Sequence, residues 1–178
     1  STYWLTGKGG KPWIWTTEQA RIVLWFFALA EVVAAPDFVA HTYALQRLKG
    51  FGKDPIAATL STCSLHAPVM FDHWDGDRAV GRDDPDAWTQ ICAVSLEQTQ
   101  NTMKLFPGLI PEDTRRHYGI QIGKQNIWSD GDRRQVQAIT SNPLSIEGAR
   151  PHFIIRAETQ NWLATNGGHD MVGAMEGN

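Results

Sequence analysis

Apolar and polar positions change rhythm several times along the chain, and each change marks an element. Between residues 19 and 31 the apolar side chains Ile22, Val23, Leu24, Trp25, Phe26, Phe27 and Leu29 run almost all round a helical wheel, which predicts a buried helix. Thr16 or Thr17 can cap it, with Glu18 and Gln19 in its first turn. Residues 38–46 alternate, with Val39, His41, Tyr43 and Leu45 set against Phe38, Ala40, Thr42 and Ala44, and predict a strand. A helix opens at 56–60 and reaches about His66, with Pro55 in its first turn.

Residues 67–86 read as a long acidic loop, and 88–95 as a strand. A helix over 96–106 follows, capped by Ser95 with Gln98 and ended by Pro107-Gly108. Residues 111–117 form a short helix or turn, 118–122 and 125–128 a hairpin, and 133–140 a further strand. After a polar loop at 141–151, the apolar stretch 152–156 reads as a strand that runs into Glu158 and a helix to about Thr165. The glycine- and lysine-rich residues 1–12 read as a flexible arm, and 13–178 as one domain.

Composition narrows the classes. The chain has 178 residues, 42% hydrophobic and 20% charged, with a formal net charge of −3, so any contact with DNA must use a local basic patch. No apolar run reaches the ~18 residues that cross a bilayer. No signal pattern opens the chain, and an intracellular protein is expected. Cys63 and Cys92 lack the spacing of a metal knuckle and read as two buried thiols. Asp72, His73, Asp75, Asp77, Asp83 and Asp84 carry possible cation ligands without the EF-hand spacing, and a solvated insertion is the default there.

Chemistry concentrates in Arg47-Leu48-Lys49-Gly50-Phe51-Gly52-Lys53-Asp54-Pro55. A predicted strand, a glycine loop ending in lysine and a helix start are the parts of a phosphate cradle, because free amides and the helix dipole draw an anion and glycines let the backbone approach it. The loop departs from G-x-x-x-x-G-K-[ST] at both ends, with Arg47 in place of the first glycine and Asp54 in place of the magnesium-binding hydroxyl. The bland alternative is a basic turn between two core elements. Arg47-x-x-Gly50-x-Gly52 also resembles the pyrophosphate loop of acetyl-CoA-dependent N-acetyltransferases. Gln19, just upstream, offers an amide donor and acceptor that match an adenine edge, or is a solvent-facing helix-start residue.

A second stretch, from His152 to Trp162, sends an apolar strand into Glu158. In P-loop ATPases such a strand ends in two acids, one orienting the metal and one the attacking water. Glu158 fits the second place and Ala157 stands in the first. Alone, Glu158 reads as a helix N-terminal acid; beside a phosphate cradle it becomes a catalytic candidate.

The two stretches, with 93–103, 146–151 and Asn166-Gly167-Gly168-His169 in the same order, resemble the ATPase domain of the large terminase subunit of tailed bacteriophages, of the actinobacteriophage type. The resemblance covers nearly the whole chain from Trp15. It implies an α/β P-loop NTPase fold, RecA-like (ASCE), with a mostly parallel sheet flanked by helices. It implies ATP and Mg²⁺, with Lys53 on the β/γ-phosphates, Gly50, Phe51 and Gly52 along the phosphate path, and Arg47 and Lys49 as basic loop residues. Glu158 would be the general base, Gln19 and Trp15 would border the adenine, and Asp54 would hold the metal. Arg150 is the first candidate for an arginine finger offered to a neighbouring subunit, with Arg133 and Arg134 next.

The implied partners are double-stranded DNA, the portal protein, the small terminase subunit and sister subunits in a ring, in the host cytoplasm and outside the mature virion. Lys104, Arg115, Arg116 and Lys124 are candidates for DNA contact. The nuclease domain of such subunits is absent from this sequence, and the domain is expected to be incomplete at its C-terminal end. Two alternatives stay open: an N-acetyltransferase, and a degenerate nucleotide-binding assembly module without turnover.

Overall fold

A computed structural model describes residues 5–29, 38–140 and 150–176. Helix α1 (Thr17–Phe26) begins in a capping box, in which the Thr16 hydroxyl accepts from the Gln19 amide and the Gln19 side chain accepts from the Thr16 amide. Helix α2 (Lys53–His66) is the central helix and packs across the sheet. Its buried face mixes Ile56, Ala58, Leu60 and Leu65 with Thr59, Ser61 and Thr62. Those hydroxyls donate to the carbonyls of Pro55, Ala57 and Ala58 at 2.8–2.9 Å, so each is satisfied within its own helix.

The remaining elements are β1 (Met70–Asp75), β2 (Arg78–Arg82), β3 (Trp88–Cys92), α3 (Leu96–Met103), α4 (Phe106–Leu109), α5 (Glu112–Tyr118), β4 (Gln121–Ile122), β5 (Asn126–Ser129), β6 (Arg134–Ile139), β7 (Phe153–Arg156) and α6 (Gly168–Glu176). Five strands form one sheet in the order β4-β5-β6-β3-β7, and β1 and β2 form a separate antiparallel hairpin. Strand β3 lies between β6 and the edge strand β7, and side chains from its two faces enter two cores. Ile91 joins Leu65, Phe106, Ile110, Ile127 and Val136. Cys92 joins Ile139, Trp162, Met171 and Met175 on the other face, under α6.

The sheet is not the mostly parallel RecA-like sheet expected of a P-loop NTPase. Strand β3 runs parallel to β6 and β7, but β5 runs antiparallel to both β4 and β6. The physical reason lies in the connections: β4, β5 and β6 are joined by tight turns, which only antiparallel neighbours allow. The turn between β5 and β6 holds Asp130, Gly131 and Asp132 all at positive φ.

The strand expected at 38–46 is also absent. Phe38 makes one isolated bridge to Leu29, the Val39 amide donates to Ala28 O at 2.8 Å, and the Tyr43 hydroxyl donates to Trp25 O at 2.8 Å. The segment runs along α1 instead of entering the sheet. Helix α1 ends at Phe26 and is only half buried, with Leu24 72% and Trp25 66% exposed, where a wholly buried helix was expected.

Residues 67–86 contain the β1–β2 hairpin in place of a plain loop. The helix expected over 96–106 breaks into α3 and α4, and the one expected after Glu158 is two 3₁₀ turns, Thr159–Asn161 and Ala164–Asn166. Near the N-terminus, Thr6 is tied to the core through its amide and Leu109 O (2.8 Å) and its hydroxyl and Gly108 O (2.6 Å).

Candidate phosphate-binding site

The loop that leads into α2 is shaped by two glycines. Gly50 has φ +89° and Gly52 φ +94°, both in the left-handed region that a side chain disfavours. Around Gly50 there is open space, whereas a Cβ on Gly52 would lie 3.0 Å from Gln19 Nε2. Gly52 is the N-cap of α2 and has no side chain with which to cap it. The first-turn amides of a fourteen-residue helix, at the positive end of its dipole, therefore have no side-chain cap. Pro55 has no amide to waste there.

Side chains from α1 and the loop fasten this turn. Gln19 Nε2 donates to Phe51 O at 3.0 Å, and its Oε1 accepts from the Thr16 amide at 3.1 Å. Arg47 pairs with Glu18 at 3.0 Å and lies over the Phe51 ring, 5.5 Å from its centroid. The Lys53 ammonium donates back to Arg47 O at 3.1 Å, across the mouth of the loop.

Asp54 reports what else is near. Burial raises its carboxyl above the ordinary value, the Glu158 charge raises it further, and the Lys53 ammonium lowers it. The start of α2 and the end of β7 thus bring Lys53, Asp54 and Glu158 into one electrostatic neighbourhood. Strand β7 continues its ladder through the Ala157 amide, which donates to Cys92 O at 2.8 Å, and then turns at Glu158 with φ +53° and ψ +45°. A left-handed glutamate is disfavoured by about 1 kcal/mol or more. The Gln160 amide donates to the Glu158 carboxylate and fixes its direction. The Trp162 indole donates to Ala157 O at 3.0 Å, anchoring the turn from below.

Arg150 is exposed and precedes β7, so the length of that strand separates it from Glu158. Arg133 pairs with Asp86 at 3.0 Å, and Arg134 is buried with Asp83 at 2.6 Å. Both lie at the start of β6, which is parallel to β7, at the edge of the sheet away from Glu158. Trp15 is half-buried, edge-on to Trp13 with centroids 5.6 Å apart, one residue before Thr16. Lys49 lies in the turn ahead of Gly50. Sequence reasoning missed Gln160 and Glu18: a side chain that only orients another leaves no spacing signal.

That opposite edge holds a second polar cluster. Arg134 donates to Leu65 O at 2.9 Å and to His66 Nδ1 at 3.1 Å, while His66 Nε2 lies 2.8 Å from Ser129 Oγ. Burial first, and then the Arg134 charge, push the His66 pKa down to about 4. An arginine donor on Nδ1 leaves the proton on Nε2, which donates to Ser129. This histidine cannot take the serine's proton, so the pair is not a nucleophilic dyad. Burial also pushes the Cys63 and Cys92 thiols up to about 11 and about 12, which keeps them protonated and inert. No metal-binding cluster of three or more His, Cys, Asp or Glu occurs among the described residues, and no described helix is long and apolar enough to cross a membrane.

No protein-family model and no solved structure matches the chain. It is 40% identical over 169 residues to the Gene 13 protein of Mycobacterium phage D29, and 39% identical over 169 residues to the Gene 13 protein of Mycobacterium phage L5. Each match covers 92% of this chain and 28% of the relative, so the chain spans little more than a quarter of the length of the curated relatives it matches. The similarity is to bacteriophage proteins.

Proposed function

We propose that the chain supplies the ATP-hydrolysing part of a phage terminase large subunit, which drives double-stranded DNA into a procapsid. The observation that carries this reading is that the Asp54 carboxyl, at the uncapped start of α2, is raised by burial and by the Glu158 charge and lowered by the Lys53 charge. An ammonium and free amides suit a polyphosphate, and a carboxylate whose charge reaches the same helix start suits the water that attacks it. Glu158 follows β7, which pairs in parallel with β3 in the mixed sheet, and strand ends of this kind suit a ligand crevice.

In the proposed reaction Lys53 leaves Arg47 O for the β/γ-phosphate oxygens, and the loop amides share the remaining charge. Glu158, steadied by Gln160, accepts a proton from the attacking water. The new bond forms at the γ-phosphorus as the bond to the β,γ-bridging oxygen breaks, and ADP and phosphate result. Mg²⁺ suits this site, because a hard cation takes carboxylate oxygen and would relieve the Asp54–Glu158 repulsion; Asp54 would hold it, and it would neutralise phosphate charge. The portal protein, the small terminase subunit, sister subunits and DNA are partners under the same proposal. An exposed Arg150, remote from its own cradle, is suited to a neighbour's nucleotide.

The test is Mg²⁺-dependent ATP turnover by the wild type, Lys53→Ala and Glu158→Gln. Loss of the ammonium should lower kcat by about 10²–10³, and loss of the base by about 10²–10⁴. Equal rates in all three would end the catalytic roles of Lys53 and Glu158, and no turnover in any would leave an assembly module. Thermal stabilisation by acetyl-CoA and not by ATP would favour the N-acetyltransferase instead.

A further inference from the structure

We propose that a cavity at the carboxyl end of α2 is a binding site for an uncharged apolar molecule the size of a single ring. The phosphate loop lies at the opposite end of the same helix, and the proposal stands independently of the function read there. The cavity has a volume of about 190 Å³ and opens to solvent on one side. Its origin lies in the size of the residues around it. The end of α2 contributes Thr62, Cys63 and Ala67, α5 contributes Thr114, and short side chains meeting short ones leave a void. Folded interiors keep few voids larger than a water molecule, so one of this size calls for an occupant.

The walls are pinned, which keeps the void from collapsing. Leu5 lines one side, and the next residue, Thr6, is tied by its amide to Leu109 O and by its hydroxyl to Gly108 O. His66 lines another side, stacked on Tyr118 with centroids 4.6 Å apart. Both of its nitrogens are engaged, Nδ1 by the Arg134 guanidinium and Nε2 by Ser129, and a neutral imidazole has no third bond to offer. The Thr62 hydroxyl has given its one hydrogen to Ala58 O. Among the described residues no Asp, Glu, Lys or Arg lines the cavity. Burial, with the Arg134 charge, keeps His66 neutral down to about pH 4, and burial holds the proton on the Cys63 thiol up to about pH 11. A charged ligand would therefore give up its water without meeting a counter-charge, a cost an apolar one avoids. A cavity of about 150 Å³ already takes benzene, so ring-sized molecules fit this one.

The experiment adds benzene, toluene, benzoate or benzylamine to the chain and follows alkylation of Cys63 by iodoacetamide, in alkaline buffer so that some thiolate is present. Cys63 lines the cavity and is half-buried, whereas Cys92 is sealed in the other core and reports any unfolding. Benzene and toluene should slow alkylation of Cys63 by about threefold or more, because an occupied cavity shields the sulfur in proportion to its occupancy. Benzoate and benzylamine should leave the rate unchanged. Ala67→Leu fills the void with its own side chain and should remove the protection by benzene; if that variant does not fold, the wild-type series decides alone. Equal rates with and without benzene and toluene would overturn the proposal. So would equal protection by the two charged ligands, or protection that survives in a folded Ala67→Leu.

Discussion

Asp54 is a carboxylate pulled in two directions. The helix start favours its charge, while partial burial and the neighbouring Glu158 oppose it, and opposition wins. A folded-state pKa above the ordinary 3.8 means that the folded protein holds this proton more tightly than the unfolded chain. The contribution of Asp54 to stability is therefore fullest below pH 3.8 and is lost as pH rises through the raised folded value. Asp54→Asn should raise the melting temperature at pH 7, bring no gain at pH 3, and weaken Mg²⁺-dependent ATP binding. Thermal denaturation at both pH values checks the sign, and an unchanged melting temperature at pH 7 would show that neither burial nor Glu158 appreciably disfavours the Asp54 charge. A residue that lowers stability where it would hold a cation fits the trade expected between stability and function.

At the scale of the element, the cradle is a turn held by a helix that is distant in sequence, and its two glycines have different jobs. Gly50→Ala meets open space and should lower stability by only about 1–2 kcal/mol through its positive φ. Gly52→Ala carries the same backbone penalty and also drives into Gln19, so it should cost more and should additionally abolish ATP binding. Urea unfolding of the two variants, with ATP titration of each, separates the roles; equal losses would mean that Gln19 yields freely.

Much of this turn was legible in the sequence, because positive-φ glycines, a lysine and a proline in the first helical turn are all local signals. The segment before it was not. Its alternation announces extended backbone but says nothing of the partner, and 38–46 lies along α1. The β1–β2 hairpin was hidden for the complementary reason: most of its residues are exposed on both faces, so no buried stripe marks it. Glu158 was legible as an acid at a strand end, whereas its left-handed backbone and its Gln160 partner arise from tertiary packing.

Across the whole molecule, α2 separates two kinds of polar chemistry. Its first turn carries Asp54, whose carboxyl feels the Glu158 charge, and its last residue, His66, lies with Ser129 and Arg134 at the far edge of the sheet. His66 stays neutral in the fold down to about pH 4, while in the unfolded chain it takes up a proton near 6.5. Below pH 6.5 the unfolded state therefore gains protons that the folded state refuses. Stability should fall as pH drops from about 7 towards about 4 and then level off, and His66→Gln should flatten that slope. Urea unfolding across this range tests it, and an unaltered slope in the variant would assign the pH dependence to other groups.

The mixed sheet also bears on how the chain acquires its shape. Strands β4, β5 and β6 are joined by short turns, so their pairings close small loops that form quickly. The parallel pairings of β3 with β6 and β7 bridge far longer stretches of chain and must wait for a surface on which to condense. Glu158 follows the last of those strands. The fold therefore builds its antiparallel wing early, and the acid proposed to activate water comes into place only when the slowest pairing has zipped.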